Sequence, residues 1–157
     1  MVRTFAPVGE TPVLHEQVTR DHLSAISGIT LEGKLLVKTQ DHSFHGTEAV
    51  SFLKHLVKVV SDRLLVVWDG SPIHGSNEVH QFLASEEGKG VWLERLPGYA
   101  PDLNPDEGIW NYLKGVELKN VVCQDMGGLF TEFREAVQRL RQKPRIIRAC
   151  FAEVGIV

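Results

Sequence analysis

The most constraining feature of this chain is a run of five consecutive apolar residues, Leu64–Trp68, that ends on the carboxylate of Asp69. An unbroken apolar run, here within a strand predicted over 63–70, is typical of a strand buried on both faces of an α/β sheet. A helical pattern over 76–87 and a strand pattern over 91–96 follow it. A strand that ends on Asp69 would present this carboxylate at the carboxyl edge of the sheet, where open α/β sheets bind ligands.

Apolar periodicity along the rest of the chain predicts the other elements. The predicted strands cover 22–31, 34–44, 63–70 and 91–96, and the predicted helices cover 47–60, 76–87, 106–115 and 129–142. Gly33 marks a tight turn between the first two strands, which predicts a hairpin. Gly127 and Gly128 are expected to break the chain before the last helix, and Pro144 is expected to end or kink that helix. This order indicates an α/β fold with a mixed sheet flanked by helices.

Composition limits the class of protein. The 157 residues are 43% hydrophobic, which fits one globular domain over residues 1–157 with a single core. No apolar run reaches about 18 residues, and the first residues lack a hydrophobic signal core, so neither a membrane partner nor secretion is expected. Cys123 and Cys150 are too isolated for a disulfide framework. We therefore expect reduced thiols and a cytoplasmic location.

A second motif lies around Glu107. The loop over 97–105 contains three prolines, and Asp106 and Glu107 follow it in the first turn of a predicted helix. Acids in a first turn are favoured by the helix dipole, which suffices to explain either residue singly. A stiff loop also suits a side chain that must be held accurately for metal binding. Asp69 and Glu107 are therefore candidate ligands of Mg²⁺, which prefers carboxylate oxygens, water and phosphate.

Each candidate residue also has a purely structural interpretation. Asp69 can cap the turn through Gly70 and Ser71. His74, five residues further on, can orient a water, contact a phosphate, or pack and hydrogen-bond within the turn. Both interpretations stay open from the residues alone.

A basic strip lies near the end of the chain. The net charge of -3 argues against a dedicated DNA-binding module. Residues 139–148 nevertheless contain five basic residues and no acid: Arg139, Arg141, Lys143, Arg145 and Arg148. This strip can contact DNA phosphates, or it can be a solvated helix face.

Two longer segments resemble a known family. LLVVWDGSPIHGSNEVHQFL and WLERLPGYAPDLNPDEGIWNYLK are similar to the second and third catalytic segments of DDE-type transposases, in the bacterial insertion-sequence branch of the Tc/mariner superfamily. RTFAPVGETPVL resembles the stretch after the first catalytic strand of that family, and RIIRACF resembles its closing segment. The resemblance covers nearly the whole chain, and its most specific pattern is LPxYxPxLNPxE.

The resemblance implies an RNase H-like fold and DNA cleavage with strand transfer, driven by Mg²⁺ or Mn²⁺ on transposon ends and target DNA. By position, Asp69 matches the second acid, Glu107 the third, and His74 a histidine common in that segment. Asp106 stands where the family more often has an apolar residue, so it is not assigned as a ligand. Gly70 replaces an asparagine found in many relatives.

The resemblance also implies that the first strand of the fold, with the first acid, and the helix-turn-helix region are absent from this chain. The missing strand would lie between the second and fourth strands, so its absence would leave two unpaired inner edges. We expect the isolated chain to be poorly stable or inactive, or to gain the strand from a partner, either as a homodimer or with an upstream transposase fragment. One alternative is a non-catalytic remnant that binds DNA or pairs with a full-length transposase subunit. Another is a different metal-dependent nuclease of RNase H-like type.

Overall fold

The structure is a computed structural model, and it describes residues 22–61, 63–98 and 100–156. The elements in these residues are β1 (Ser24–Ile29), β2 (Leu35–Gln40), α1 (Gly46–Val59), β3 (Leu64–Trp68), α2 (Asn77–Ala84), β4 (Val91–Arg95), α3 (Pro105–Tyr112), α4 (Met126–Arg141) and α5 (Pro144–Glu153). The predicted α/β class is confirmed. The stretch over residues 3–14 that carries part of the family resemblance lies outside the described residues.

β1 and β2 form the predicted hairpin. They pair antiparallel, with Ser24 opposite Gln40 at the open end. Gly33 lies in the turn at φ +88°, and its N–H donates to the Thr30 carbonyl at 2.8 Å. A Cβ atom on Gly33 would come within 2.8 Å of the Pro144 carbonyl oxygen. Glycine is therefore required here both by the backbone conformation and by the close approach of α5.

β3 and β4 form a parallel pair, joined through α2. The register places Trp68 opposite Arg95 at the carboxyl end. The Leu96 N–H donates to the Trp68 carbonyl at 2.9 Å, which continues the ladder past β4. The Ser76 hydroxyl caps α2 by accepting from the Val79 N–H in its first turn. The pair therefore ends at Asp69, the first residue beyond β3.

The described strands form two separate two-stranded sheets, β1–β2 and β3–β4, and not the single mixed sheet expected from the sequence. Among the described residues no strand connects β1 to β3. Within the described part of the chain, each of these strands is thus hydrogen-bonded along one edge only. Unpaired strand edges expose backbone N–H and C=O groups that another strand can use.

β3 is covered on one face only, so the prediction that it is buried on both faces is wrong. Leu64, Val66 and Trp68 pack against the core around α1 and α2. Leu65 and Val67 point the other way and are 64% and 53% exposed. Trp92, which lies opposite Leu65 in the β3–β4 pair, is 55% exposed. The apolar run misled because no described element packs on that second face.

Two hydrophobic clusters hold the described residues together. One joins β2 to the amphipathic faces of α1 and α2; its members include Phe52, Leu53, Val79 and Phe82, all at most 5% exposed. The other joins the opposite face of the hairpin to α3, α4 and α5; its most buried members are Ile109, Leu140 and Ile147. Full burial of such a side chain contributes roughly 1.5–3 kcal/mol. The hairpin is therefore the layer shared by both clusters.

α4 begins earlier than the helix predicted over 129–142, and a further helix, α5, follows it where the sequence predicted none. α4 starts at Met126 and contains Gly127 and Gly128, because the Asp125 carboxylate accepts from the Gly128 N–H at 2.7 Å and caps the turn. Pro144 begins α5 at a position that needs no N–H donor. α4 is 16 residues long, and no described helix is both long and apolar enough to cross a membrane.

A π-helical turn over Leu113–Glu117 follows α3 directly. The Leu118 N–H donates to the Leu113 carbonyl at 2.8 Å, five residues back. This turn carries Glu117 towards α4, where its carboxylate accepts from Arg139 Nε at 2.7 Å and Lys143 Nζ at 2.6 Å. The Glu117 side chain is only 6% exposed, and the two hydrogen bonds lower the pKa of its carboxyl group.

Candidate acidic site at the carboxyl end of β3

Asp69 lies directly after β3 with its side chain 60% exposed. Its Oδ1 atom accepts from the Ser71 N–H at 2.9 Å, which is the turn-capping bond considered from the sequence. The cap uses one oxygen, so it does not exclude a ligand role for the other. The carboxylate is therefore oriented by its own turn and remains accessible to solvent.

His74 gives the same oxygen a second neighbour. Its Nε2 atom lies 3.1 Å from Asp69 Oδ1, and its ring stacks on Trp68 at 3.9 Å between centroids. The His74 side chain is 13% exposed. Burial lowers the pKa of His74, and the nearby Asp69 carboxylate only partly offsets this. A neutral ring that donates from Nε2 leaves Nδ1 as an acceptor, and this buried atom has no partner among the described residues.

The start of α3 is fixed by its cap. Asn104 accepts from the Asp106 N–H through its side chain at 3.1 Å and from the Glu107 N–H through its carbonyl at 3.1 Å. Pro105 occupies the first helical position, where a missing N–H leaves no bond unmade. Glu107 is exposed in this first turn. The local sequence therefore places the Glu107 carboxylate at a rigid helix start.

Asp106 is the residue whose role the sequence did not reveal. Its Oδ2 atom accepts from the Ser27 hydroxyl at 2.5 Å and from Trp110 Nε1 at 3.0 Å. Its Oδ1 atom is buried and has no partner among the described residues. The only sequence signal was an acid at a position that is more often apolar in the family it resembles.

The pKa of Asp106 depends on its burial, on its hydrogen bonds and on two nearby acids. Burial raises the pKa of Asp106, the hydrogen bonds from Ser27 and Trp110 lower it, and the charges of Glu107 and Asp69 raise it. The net direction is upward. A charge acts on a neighbour's pKa only over a short distance. Asp69 and Glu107, which belong to two separate elements, therefore both lie near enough to Asp106 to act on its pKa.

The donor set suits a hard divalent cation in part. Mg²⁺ is bound by one or two protein carboxylates, with water and substrate phosphate completing its shell. Asp69 and Glu107 are exposed carboxylates of this kind. No group of three or more His, Cys, Asp or Glu residues in the described part of the chain is arranged to hold a metal by itself. A cation here would thus depend on water and phosphate for most of its ligands.

The basic strip is partly occupied by contacts within the chain. Arg139 and Lys143 bond to Glu117, and Arg141 Nε donates to the Leu35 carbonyl at 3.0 Å. Arg145 and Arg148 are exposed on α5. These two are the members of the strip most accessible to a phosphate.

Comparison with family models gives one match: a DDE superfamily endonuclease model covers residues 2–126. The chain belongs to the DDE superfamily of endonucleases. DDE endonucleases generally depend on divalent metal and act on DNA, which agrees with an acidic site at a sheet edge. The match spans both Asp69 and Glu107, and it ends as α4 begins. No curated protein and no solved structure matches the chain.

Proposed function

We propose that this DDE endonuclease chain is the catalytic part of a transposase that cleaves DNA and joins strands with Mg²⁺ or Mn²⁺. The observation that carries the proposal is the position of Asp69 at the carboxyl end of β3 and of Glu107 in the first turn of α3, both inside the segment that the DDE endonuclease model matches. Phosphoryl transfer with two metal ions needs carboxylates from separate elements that meet at one point.

Each residue has a distinct role in the proposal. Asp69 and Glu107 would hold the cation, which would stabilise the attacking and leaving oxygens of the phosphodiester. His74 and the Ser71 N–H both donate to Asp69 Oδ1, which leaves Asp69 Oδ2 as the oxygen for the cation. Such an outer hydrogen bond orients a ligand and typically changes metal affinity about 10–100-fold.

DNA is the proposed partner, both as transposon ends and as target. Arg145 and Arg148 would contact phosphates directly, because both side chains are exposed. Arg139, Arg141 and Lys143 belong to the same strip, but phosphates would compete with their existing partners. Binding of this kind weakens as salt rises, because each neutralised phosphate releases counterions. We place this activity in the cytoplasm.

The proposal includes an RNase H-like arrangement whose first strand is not among the described residues. Within these residues β1 and β3 each have one unpaired edge, and a strand inserted there would join the two sheets, which supports the proposal. That strand would also bring the first acid of the family it resembles. We propose that a second subunit or an upstream transposase fragment of the insertion-sequence branch supplies it.

A non-catalytic role is the second candidate function. It is favoured by the lack of a three-residue metal group in the described part of the chain. Such a remnant would bind DNA or pair with a full-length transposase without cleaving DNA itself.

The deciding experiment measures nicking of supercoiled DNA with Mg²⁺ or Mn²⁺. The chain is assayed alone and co-expressed with the segment encoded immediately upstream. We expect nicking only in the second sample, and we expect Asp69→Lys to abolish it while the helix content is unchanged. Nicking by the chain alone would contradict the incomplete fold. DNA binding without nicking in every sample would favour the non-catalytic role.

A further inference from the structure

Asp106 connects β1 to α3 through one carboxylate oxygen, and its N–H joins it to the cap of α3. The Ser27 hydroxyl, 79 residues earlier in the chain, donates to Oδ2 from β1. Trp110, one helical turn later, donates to the same atom through Nε1. The Asp106 N–H is held by Asn104. These contacts tie the first turn of α3 to the hairpin as well as to its own cap.

We infer that Asp106 is a positioning residue that fixes the first turn of α3 so that Glu107 faces Asp69. The inference rests on the proposed function, in which Glu107 and Asp69 hold the cation. It assigns to Asp106 a role that the family resemblance does not give to this position.

Helix geometry explains why the contact acts on Glu107. Asp106 and Trp110 are four residues apart and lie on one face of α3, which packs inward. Glu107 is the next residue, so its side chain is turned by about 100° and stays free for another ligand. Rotation or translation of the first turn would move Glu107 directly, and a displacement of about 1 Å is enough to weaken a site.

The contact is anchored on both sides. Trp110 stacks on Phe133 of α4 with 6.2 Å between ring centroids, so the donor itself is held by the core. Ser27 lies in β1, within the hairpin shared by both hydrophobic clusters. The start of α3 is therefore held against α4 through Trp110 and against the hairpin through Ser27.

The test is Mn²⁺ binding measured by isothermal titration calorimetry on the full chain. Asp106→Ala removes both hydrogen bonds, and we expect about tenfold weaker binding, as for other outer-shell changes. Asp106→Asn keeps an acceptor oxygen for Ser27 and Trp110, and we expect binding within about threefold of the original chain. Ser27→Ala removes one of the two bonds, and we expect an intermediate loss; it replaces Asp106→Ala if that variant does not fold.

Two controls separate the possible outcomes. Glu117→Gln alters another buried carboxylate, in the π-helical turn that follows α3, and should leave Mn²⁺ affinity unchanged. Asp69→Asn should weaken binding on the order of 100-fold, and failure of the unaltered chain to bind Mn²⁺ would overturn the proposed cation site at Asp69 and Glu107. With that binding present, unchanged affinity in a folded Asp106→Ala variant would overturn the positioning role. Equal losses in Asp106→Asn and Asp106→Ala would also overturn it, because the charge and not the hydrogen bonds would then matter.

Discussion

Asp106 and Glu117 are two carboxylates on one helical stretch, formed by α3 and the π-helical turn that follows it. Their surroundings shift the pKa values of the two carboxyl groups in opposite directions. Glu117 bonds to Arg139 and Lys143, and these bonds lower the pKa of its carboxyl group. Asp106 has only neutral donors and two acidic neighbours, and its pKa is raised by burial.

The difference separates a carboxylate that stabilises the fold from one that costs stability. A buried charge with paired cations holds α3, α4 and α5 together around Glu117. A buried charge without a cation is unfavourable, and such groups concentrate at functional sites. The contrast therefore agrees with the proposal that the functional site lies at the Asp106 end of α3 and not at the Glu117 end.

The largest expected contrast is in cation affinity. Asp69→Ala or Glu107→Ala should weaken Mn²⁺ binding on the order of 100-fold, beyond the range of outer-shell changes. Glu117→Gln should change it by less than about twofold, because that carboxylate is already neutralised by its partners. Titration calorimetry measures both, and equal losses at the two ends would remove the distinction between them.

A smaller contrast is expected in stability at the Glu117 end. Glu117→Gln replaces two charge-assisted hydrogen bonds with weaker ones, and we expect a loss of about 1–2 kcal/mol in the free energy of unfolding at pH 7. The value is reduced because the Arg139 and Lys143 side chains are 44% and 41% exposed. Urea denaturation measures it. An unchanged midpoint would show that the pair contributes nothing.

The opposite sign is expected at Asp106. Asp106→Asn removes a buried charge and its repulsion from Asp69 and Glu107 but keeps the acceptor for Ser27. We expect the variant to be more stable by about 1 kcal/mol at pH 7 in the absence of metal. Destabilisation of similar size would mean that the charge is already compensated in the fold. The same urea measurement decides between these results.

The smallest expected effect is the pH dependence of these two differences. Asp106 has a raised pKa, so the folded state binds its proton more tightly, and stability falls as pH rises from about 3.9 through the folded pKa. The advantage of Asp106→Asn should therefore vanish at low pH. Glu117 has a lowered pKa, so its stabilisation is present above about 4.3 and is lost as pH falls through the folded pKa. Unfolding curves from pH 3 to pH 7 should show both trends, with opposite pH dependence.

Local pattern was enough to predict most elements and the two exposed acids. The hairpin, β3 and β4, and the starts of α2 and α3 follow from apolar alternation, Gly33, Ser76 and Pro105. The start of α5 at Pro144 was also readable in principle, since proline is favoured at a first helical position. Gly127 and Gly128 misled because the Asp125 cap outweighs their low helix propensity.

The remaining features depend on contacts between distant parts of the chain. The burial of Asp106 is set by Ser27, 79 residues away, and no local pattern reports on such a pair. The exposure of Leu65 and Val67 depends on which elements cover β3, and an apolar run cannot indicate a missing neighbour. Pairing of Arg139 and Lys143 with Glu117 likewise joins the π-helical turn to a later part of the chain.

That turn has a consequence for insertions and deletions. A π-helical turn holds one residue more than an α-helical turn, so removal of a single residue such as Gly115 would restore ordinary α-helical winding. Because a π-helical turn rotates less per residue than an α-helical turn, Glu117 would keep nearly the same direction from Leu113 after the deletion. The chain should therefore tolerate loss of this residue with Glu117 still within reach of Arg139 and Lys143.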